Sequence, residues 1–343
     1  MSNLLAAVVA FGVMIFCHEL GHFLVAKRVG ITVNEFALGF GRRLAGFRRG
    51  GTLYAINALP FGGYVRMAGE DLDESSEPNS FRSKGVWERI AVVSAGPAMN
   101  LLLAALLLSV TAVAAGVPVG VSNRIGQLMP DMPAIKAGLR PGDAIVAING
   151  VPMQDGRAVV ETIHRHPNTA LLLTIERDGR RLLVRVTSTL EPRQKIGLIG
   201  FLPEAIRERM DPARALAYGV TTAGQYTVAI PDVVVRLIRE RRFFEQLAGP
   251  VAAVDMLGGA AQAGAEAFVY LAALFSIMIG IFNLLPIPAL DGGRLLFLIV
   301  ESVRRRPIDP KREGYIHLVG FALLLMLLVT LTIRDIVRLI SRL

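Results

Sequence analysis

One cysteine, Cys17, is all that the 343 residues contain. A lone thiol excludes an intramolecular disulfide framework and a structural zinc site built on cysteines, so any metal held by this chain must use histidine and carboxylate. Charge is scarce as well: 19% of residues are Asp, Glu, Lys or Arg, against roughly 25% in ordinary soluble domains. With 53% hydrophobic residues and a mean hydropathy of +0.50, the composition points to a membrane protein. The net charge of +9 sits in basic clusters beside apolar runs. There it meets anionic lipid or sets topology, so nucleic acid is not an expected partner. A basic segment ahead of the first apolar run is also missing, and that run reads as a retained span rather than a cleaved signal peptide.

Four stretches are long and apolar enough to cross a bilayer, which takes about 20 helical residues: 4 to 26, 90 to 118, 267 to 290 and 315 to 333. Lys27, Arg28, Arg42, Arg43, Arg48, Arg49 and Arg66 lie between the first two, and "ESVRRRPIDPKREG" lies between the last two. The excess of basic residues makes both loops cytoplasmic and turns both termini outward. A fifth stretch, 216 to 238, contains Pro231 and Asp232. It reads as an amphipathic helix at the outer membrane surface, within a linker spanning 202 to 266.

The large insertion after the second span is expected on the outer side. In it, "AIKAGLRPGDAIVAINGVPM" (134 to 153) offers a short helix, a Pro-Gly-Asp turn and an alternating strand closed by Asn-Gly. "TALLLTIERDGRRLLVRVTS" reads as two strands around Asp178-Gly179. Residues 119 to 201 thus form an α+β module that resembles a PDZ domain of bacterial membrane-protease type. Such modules take extended peptides by strand addition, and one placed over an active site could equally exclude bulky substrates.

The first span carries "HELGH". Four residues apart on a helix, His18 and His22 share one face and can converge on one metal ion, while Glu19 can reach a water bound to it. Ionisable groups inside a span are costly and mark function by default. Cys17 points about 100° away from His18 around the helix and is read as packing. Catalytic zinc takes three protein ligands and one open position. His164 and His166 fall in the external module and His317 begins the last span, where an interfacial role fits. Asp291, in "FNLLPIPALDGGR", ends the third span at the depth of His18 and His22 and is the better third ligand, its alternative being a turn residue before Gly292-Gly293.

HELGH, "SAGPAMN" (94 to 100) and "FNLLPIPALDGGR", in that order on successive spans, resemble the site-2 protease family of intramembrane zinc metalloproteases. The PDZ-like insertion resembles its bacterial RseP-type branch, the regulator-of-sigma-E proteases, although better-known members of that branch carry two PDZ domains. The resemblance implies Zn2+ on His18, His22 and Asp291, Glu19 as general base, and Asn100 and Asn283 as polar groups near the substrate path. The implied substrates are membrane-tethered proteins such as anti-sigma factors or remnant signal peptides, and the implied location is the bacterial cytoplasmic (inner) membrane.

A substrate helix hides its carbonyls in internal hydrogen bonds and must be unwound before it can be cut. Pro286 and Pro288 break the third span and free carbonyls that can take over those bonds, unless the kink is simply packed by its neighbours. The stretch 50 to 69, two apolar runs joined by "LPFGG", is expected to form a membrane-associated β-hairpin whose edge accepts a substrate strand. The acidic run 69 to 80 reads as a solvated linker. The expected fold is therefore a polytopic α-helical membrane protein of four transmembrane helices, with an inserted PDZ-like domain and a β-hairpin. Its expected function is intramembrane proteolysis. A PDZ membrane adaptor with a structural zinc site is the alternative, and a metal transporter fits less well because transport needs neither HExxH nor a peptide-binding module.

Overall fold

The structure is a computed structural model in which residues 3–69, 79–192, 194–240, 247–306 and 308–341 are described. The acidic run falls mostly outside them. Two compact units divide the chain: 1–113 with 211–343, and 114–210.

Among the described residues, four helices of the first unit are long and apolar enough to cross a membrane. They are α1 (Asn3–Arg28), α2 (Val86–Ala114), α7 (Ala265–Leu284) and α9 (Pro310–Ile340). The first three form the core. Ala7, Ala10 and Met14 of α1 pack with Leu257 of α6 (Pro250–Ala263) and Ala272 of α7. Ala104, Ala105 and Leu108 of α2 pack with Ala273 and Ile277 of α7. Small residues set this closeness, as they do wherever helices associate without a hydrophobic difference between helix and lipid.

Three sequence expectations change here. The third span ends at Leu284, and Asp291 instead opens a separate helix, α8 (Asp291–Arg304); Pro286 and Pro288 interrupt the helical ladder, so the chain turns before it can continue. The segment 202 to 266 is not simply a linker, because strand β10 (Phe201–Glu208) belongs to the inserted unit's sheet. Nor is 216 to 238 a detached surface helix. It lies in α5 (Pro212–Arg239), which buries Ala215, Gly219 and Ala223. Ala223 packs with α2 and α7, and a Cβ on Gly219 would fall 2.1 Å from Ser109 Oγ.

The hairpin also differs. Residues 52 to 67 form one strand, β2, and its partner is the basic stretch 33 to 49, strand β1. "LPFGG" is a bend within β2. Residues 35 to 38 of β1 have neighbours on both sides, residues 63 to 66 and residues 53 to 56, while 43 to 49 return along 52 to 57. Gly39 and Gly41, both with positive φ, let β1 fold back on itself. The two halves of β2 are thus separated by β1, which local sequence pairing does not anticipate. Phe36, Val65 and Met67 bury the sheet against α1, and the buried Glu35 is paired with Arg43 at 3.0 Å and Arg66 at 3.7 Å. The far end presents Phe40, Leu44, Phe47 and Ile56, all exposed.

The second unit is a sheet in the order β10-β3-β4-β6-β7, with β3 (Val117–Leu128), β4 (Ala144–Ile148), β6 (Ala170–Arg177) and β7 (Arg180–Thr187). Helix α4 (Gly156–His164) contributes Val159 and Ile163 to a core with Ile145, Leu171, Leu173 and Ile175. The fold is PDZ-like, and its sheet reaches beyond 119 to 201 at both ends. Asp143, at the turn before β4, receives two 2.7 Å bonds from Arg177 and one of 2.8 Å from the Arg140 N–H. Burial pushes its carboxyl up, and these donors more than reverse that, so it titrates below the ordinary carboxylate range.

A carboxyl lowered in the folded state stabilises at pH values above its unfolded pKa of about 3.9 and stops doing so as pH falls through the folded value. Asp143→Asn in the full chain should therefore speed hydrogen exchange in β4 and β6 at pH 7. The difference from wild type should shrink below pH ~3.9.

Candidate active site

The polar centre forms where α1, α2 and the start of α8 meet. His18 and His22 lie one helical turn apart on the buried face of α1. His18 Nε2 and His22 Nε2 are 3.2 Å apart, and they lie 3.1 Å and 3.3 Å from Asp291 Oδ2. Ligands at the usual zinc distances of about 2.0–2.2 Å in tetrahedral directions stand roughly 3.3–3.5 Å from one another, so the triangle has the size that ion requires. Asp291 Oδ2 is buried and has no hydrogen-bond donor among the described residues. A buried carboxylate oxygen facing two ring nitrogens at these distances suits a cation held between them. Among the described residues, His18, His22 and Asp291 make up the one such group of potential metal ligands.

Helix α2 orients the rings. His22 Nδ1 donates to the Val92 carbonyl at 2.8 Å, which leaves the Nε2 lone pair directed at the centre. The Asn100 carboxamide lies 3.3 Å from His18 Nδ1. The facing atom is Nδ2, and with the amide flipped so that Oδ1 faces the ring it would accept a hydrogen bond from Nδ1–H and leave Nε2 free in the same way. Asn100 is fully buried, with its carboxamide against His18. The motif carried the signal that Asn100 matters; which side of the histidine it occupies depends on helix packing.

Two glycines make this approach possible. A Cβ on Gly21 would lie 2.2 Å from the Ala95 carbonyl oxygen, and one on Gly96 would lie 2.3 Å from His22 Nε2. Neither was singled out from the sequence, although Gly21 is the "G" of HELGH.

Glu19, Gly63, Tyr64, Val65, Val93, Asn283 and Ala289 line the same cavity of about 270 Å³ as the three candidate ligands. Glu19 is half-buried, and a Cβ on Gly63 would stand 3.1 Å from Glu19 Cγ, so the 63–67 segment of β2 flanks the carboxylate. Pro97 has no N–H to give to the Val93 carbonyl one turn back, which leaves that carbonyl free at the cavity wall. Asn283 faces the cavity while donating to its own helix at Ile279 O, 3.0 Å away. Pro288 points instead into an apolar cavity beside α9, and Pro286 belongs to the connection between α7 and α8. Arg89, near the start of α2, clasps Glu301 of α8 through both guanidinium nitrogens and so fixes the helix that begins at Asp291.

The glycine contacts generate a prediction. Gly96→Ala and Gly21→Ala should each weaken metal binding by ~10-fold or more, read as zinc content after dialysis against a metal buffer. Gly12→Ala, which meets nothing within 4 Å, should leave zinc content unchanged.

Comparison with known proteins agrees with this chemistry. The sequence pattern of Peptidase family M50 matches residues 6–327. The chain is 33% identical to the zinc metalloprotease RasP of Geobacillus kaustophilus and 32% identical to the regulator of sigma-W protease RasP of Bacillus subtilis, in each case across 98% of this chain and at least 98% of the relative. A putative zinc metalloprotease of Clostridium acetobutylicum is 32% identical over 98% of this chain and 97% of its own length. Among solved structures, the PDZ domains of SdrC-like proteins from Listeria monocytogenes and Listeria innocua align with 24% and 26% of this chain. They cover 86% and 99% of those domains, at 19% and 18% identity and TM-scores of 0.22 and 0.23. A match running through nearly the whole chain, over a membrane bundle that gathers two histidines and an aspartate, assigns this protein to Peptidase family M50, the site-2 proteases: it is an integral membrane zinc metalloprotease.

Proposed function

We propose that His18, His22 and Asp291 hold the catalytic zinc and that Glu19 is the general base. The observation that carries this reading is the triangle of ligand atoms, 3.1, 3.2 and 3.3 Å on its sides, in one cavity with a carboxylate. Bound zinc supplies a Lewis acid that brings a water's pKa toward neutrality and polarises the scissile carbonyl. The chain's own groups do the rest. Glu19 takes the proton from the attacking water and returns it to the departing amine. The edge of residues 63 to 66 turned away from β1 accepts the unwound substrate as an added strand beside Glu19. The free Val93 carbonyl and the Asn283 side chain replace some of the helical hydrogen bonds that the substrate gives up.

Three ligands leave a coordination position open. The adaptor alternative needs a fourth protein ligand, and none joins the group among the described residues. The excess of basic residues supports a cytoplasmic side for Lys27, Arg28 and the Arg304–Arg306 run, and the bacterial relatives support the cytoplasmic (inner) membrane, with the PDZ-like unit outside. The substrates are single-span membrane-tethered proteins. The regulator-of-sigma-W name of one relative supports an anti-sigma factor, and remnant signal peptides offer the same kind of cleavable helix. The lipid bilayer is the remaining partner, met by the exposed apolar tip of the β1–β2 sheet.

Glu19→Gln tests the assignment. The variant should keep stoichiometric zinc and wild-type thermal unfolding while cleavage of a tagged single-span substrate in vesicles falls ~10²–10⁴-fold. Cleavage at the wild-type rate would remove Glu19 from the mechanism.

A further inference from the structure

The strongest constraint on the Asp291 loop comes from a residue that neither motif contains. Between α7 and α8 the chain runs through Leu285 to Leu290 without helical structure, and Ala289 holds φ +76°. L-residues other than Asn and Asp seldom adopt this left-handed conformation and keep it only where the surroundings enforce it. The Ala289 N–H donates to His317 Nδ1, on α9, at 2.8 Å. Because a backbone N–H donates to it, Nδ1 carries the lone pair and the ring proton resides on Nε2. Nε2 is buried, with Glu313 Oε1 4.0 Å away. The Phe297 ring of α8 lies 5.6 Å from the imidazole, centroid to centroid. One turn along the same face of α9, Gly320 meets the preceding residue: a Cβ there would lie 2.4 Å from Pro288 Cβ and 2.6 Å from its carbonyl oxygen.

These contacts grip two consecutive residues, Pro288 and Ala289, immediately ahead of Leu290 and Asp291. Helix α9 otherwise buries little: of its most apolar stretch only 11% is buried. The α9 face presenting His317 and Gly320 is thus directed at the loop that delivers the third ligand. We infer that His317 is a positioning residue, which holds Ala289 in its left-handed conformation and thereby aims the Asp291 carboxylate at the two histidines. It touches neither substrate nor the reacting atoms. The inference rests on the reading of Asp291 as a zinc ligand.

The test uses the full-length protein in lipid nanodiscs, with zinc release to a chromophoric chelator as the readout beside cleavage. Asn and Gln separate the two ring nitrogens, since the Asn side-chain amide reaches the Nδ1 position and the Gln amide reaches the Nε2 position. His317→Asn should release zinc at the wild-type rate, and His317→Gln should release it ~10-fold faster, the scale of effect seen when a metal ligand loses its outer support. His317→Ala should match Gln, and adding Ala289→Gly should restore it, because glycine holds positive φ without an enforcing partner. Equal zinc release from Asn and Gln variants, or a His317→Ala defect unmoved by Ala289→Gly, overturns the positioning role and leaves ordinary packing. If His317→Ala does not fold, the Asn and Gln pair still decides. Asp291→Ala is the control: unchanged zinc release there would refute the ligand assignment itself, separately from the role of His317.

Discussion

Two imidazole nitrogens and a carboxylate oxygen within 3.3 Å of one another, inside an apolar bundle, are best accommodated around a shared cation, as proposed for this centre. That demand organises the rest of the core. It requires α1 and α2 to approach until side chains other than hydrogen no longer fit at Gly21 and Gly96. It requires each ring to be held through its second nitrogen by α2, against the Val92 carbonyl for His22 and the Asn100 carboxamide for His18. It also requires the third helix to stop short at Leu284, so that a carboxylate can enter from the first turn of a new helix instead of from the wall of an old one.

The sheet solves a second problem of the same environment. A backbone strand beside lipid must satisfy its N–H and C=O groups, and the first half of β1 does so on both sides by lying between the two halves of β2. The edge of β2 along 63 to 66, on the side away from β1, borders the cavity holding Glu19. A sheet edge invites strand addition, and on the proposed reading this one lies where an incoming extended peptide has use for it.

How far the sequence revealed all this depends on the range of each signal. HELGH is legible because its geometry is contained in one helical turn, and Asp291 because charge topology fixes the depth of its segment. The four spans follow from length and hydropathy alone. The sheet is half-legible: the apolar runs of 50 to 69 announce strands, while the basic, glycine-rich stretch 33 to 49 does not, because its strand character arises from neighbours up to some thirty residues away. His317 was set aside as interfacial, since its partner is a backbone N–H twenty-eight residues distant whose strain no side-chain pattern announces. Asn100 is marked by SAGPAMN, while its contact with His18 arises from how α1 and α2 pack at Gly96 and is not read from the motif.

The order in which the ligands appear along the chain bears on how the protein is made. His18 and His22 enter the membrane with the first helix, whereas Asp291 is synthesised roughly 270 residues later, about 15–50 s at ordinary translation rates. Throughout that interval α1 must remain inserted with two imidazoles and a glutamate but without its third ligand. Its all-round apolar surface and the cytoplasmic anchor Lys27-Arg28 have to carry insertion alone. With the proposed ligand set, metal loading is a late event of biogenesis that waits for Asp291, and a nascent chain that lacks it does not complete the centre.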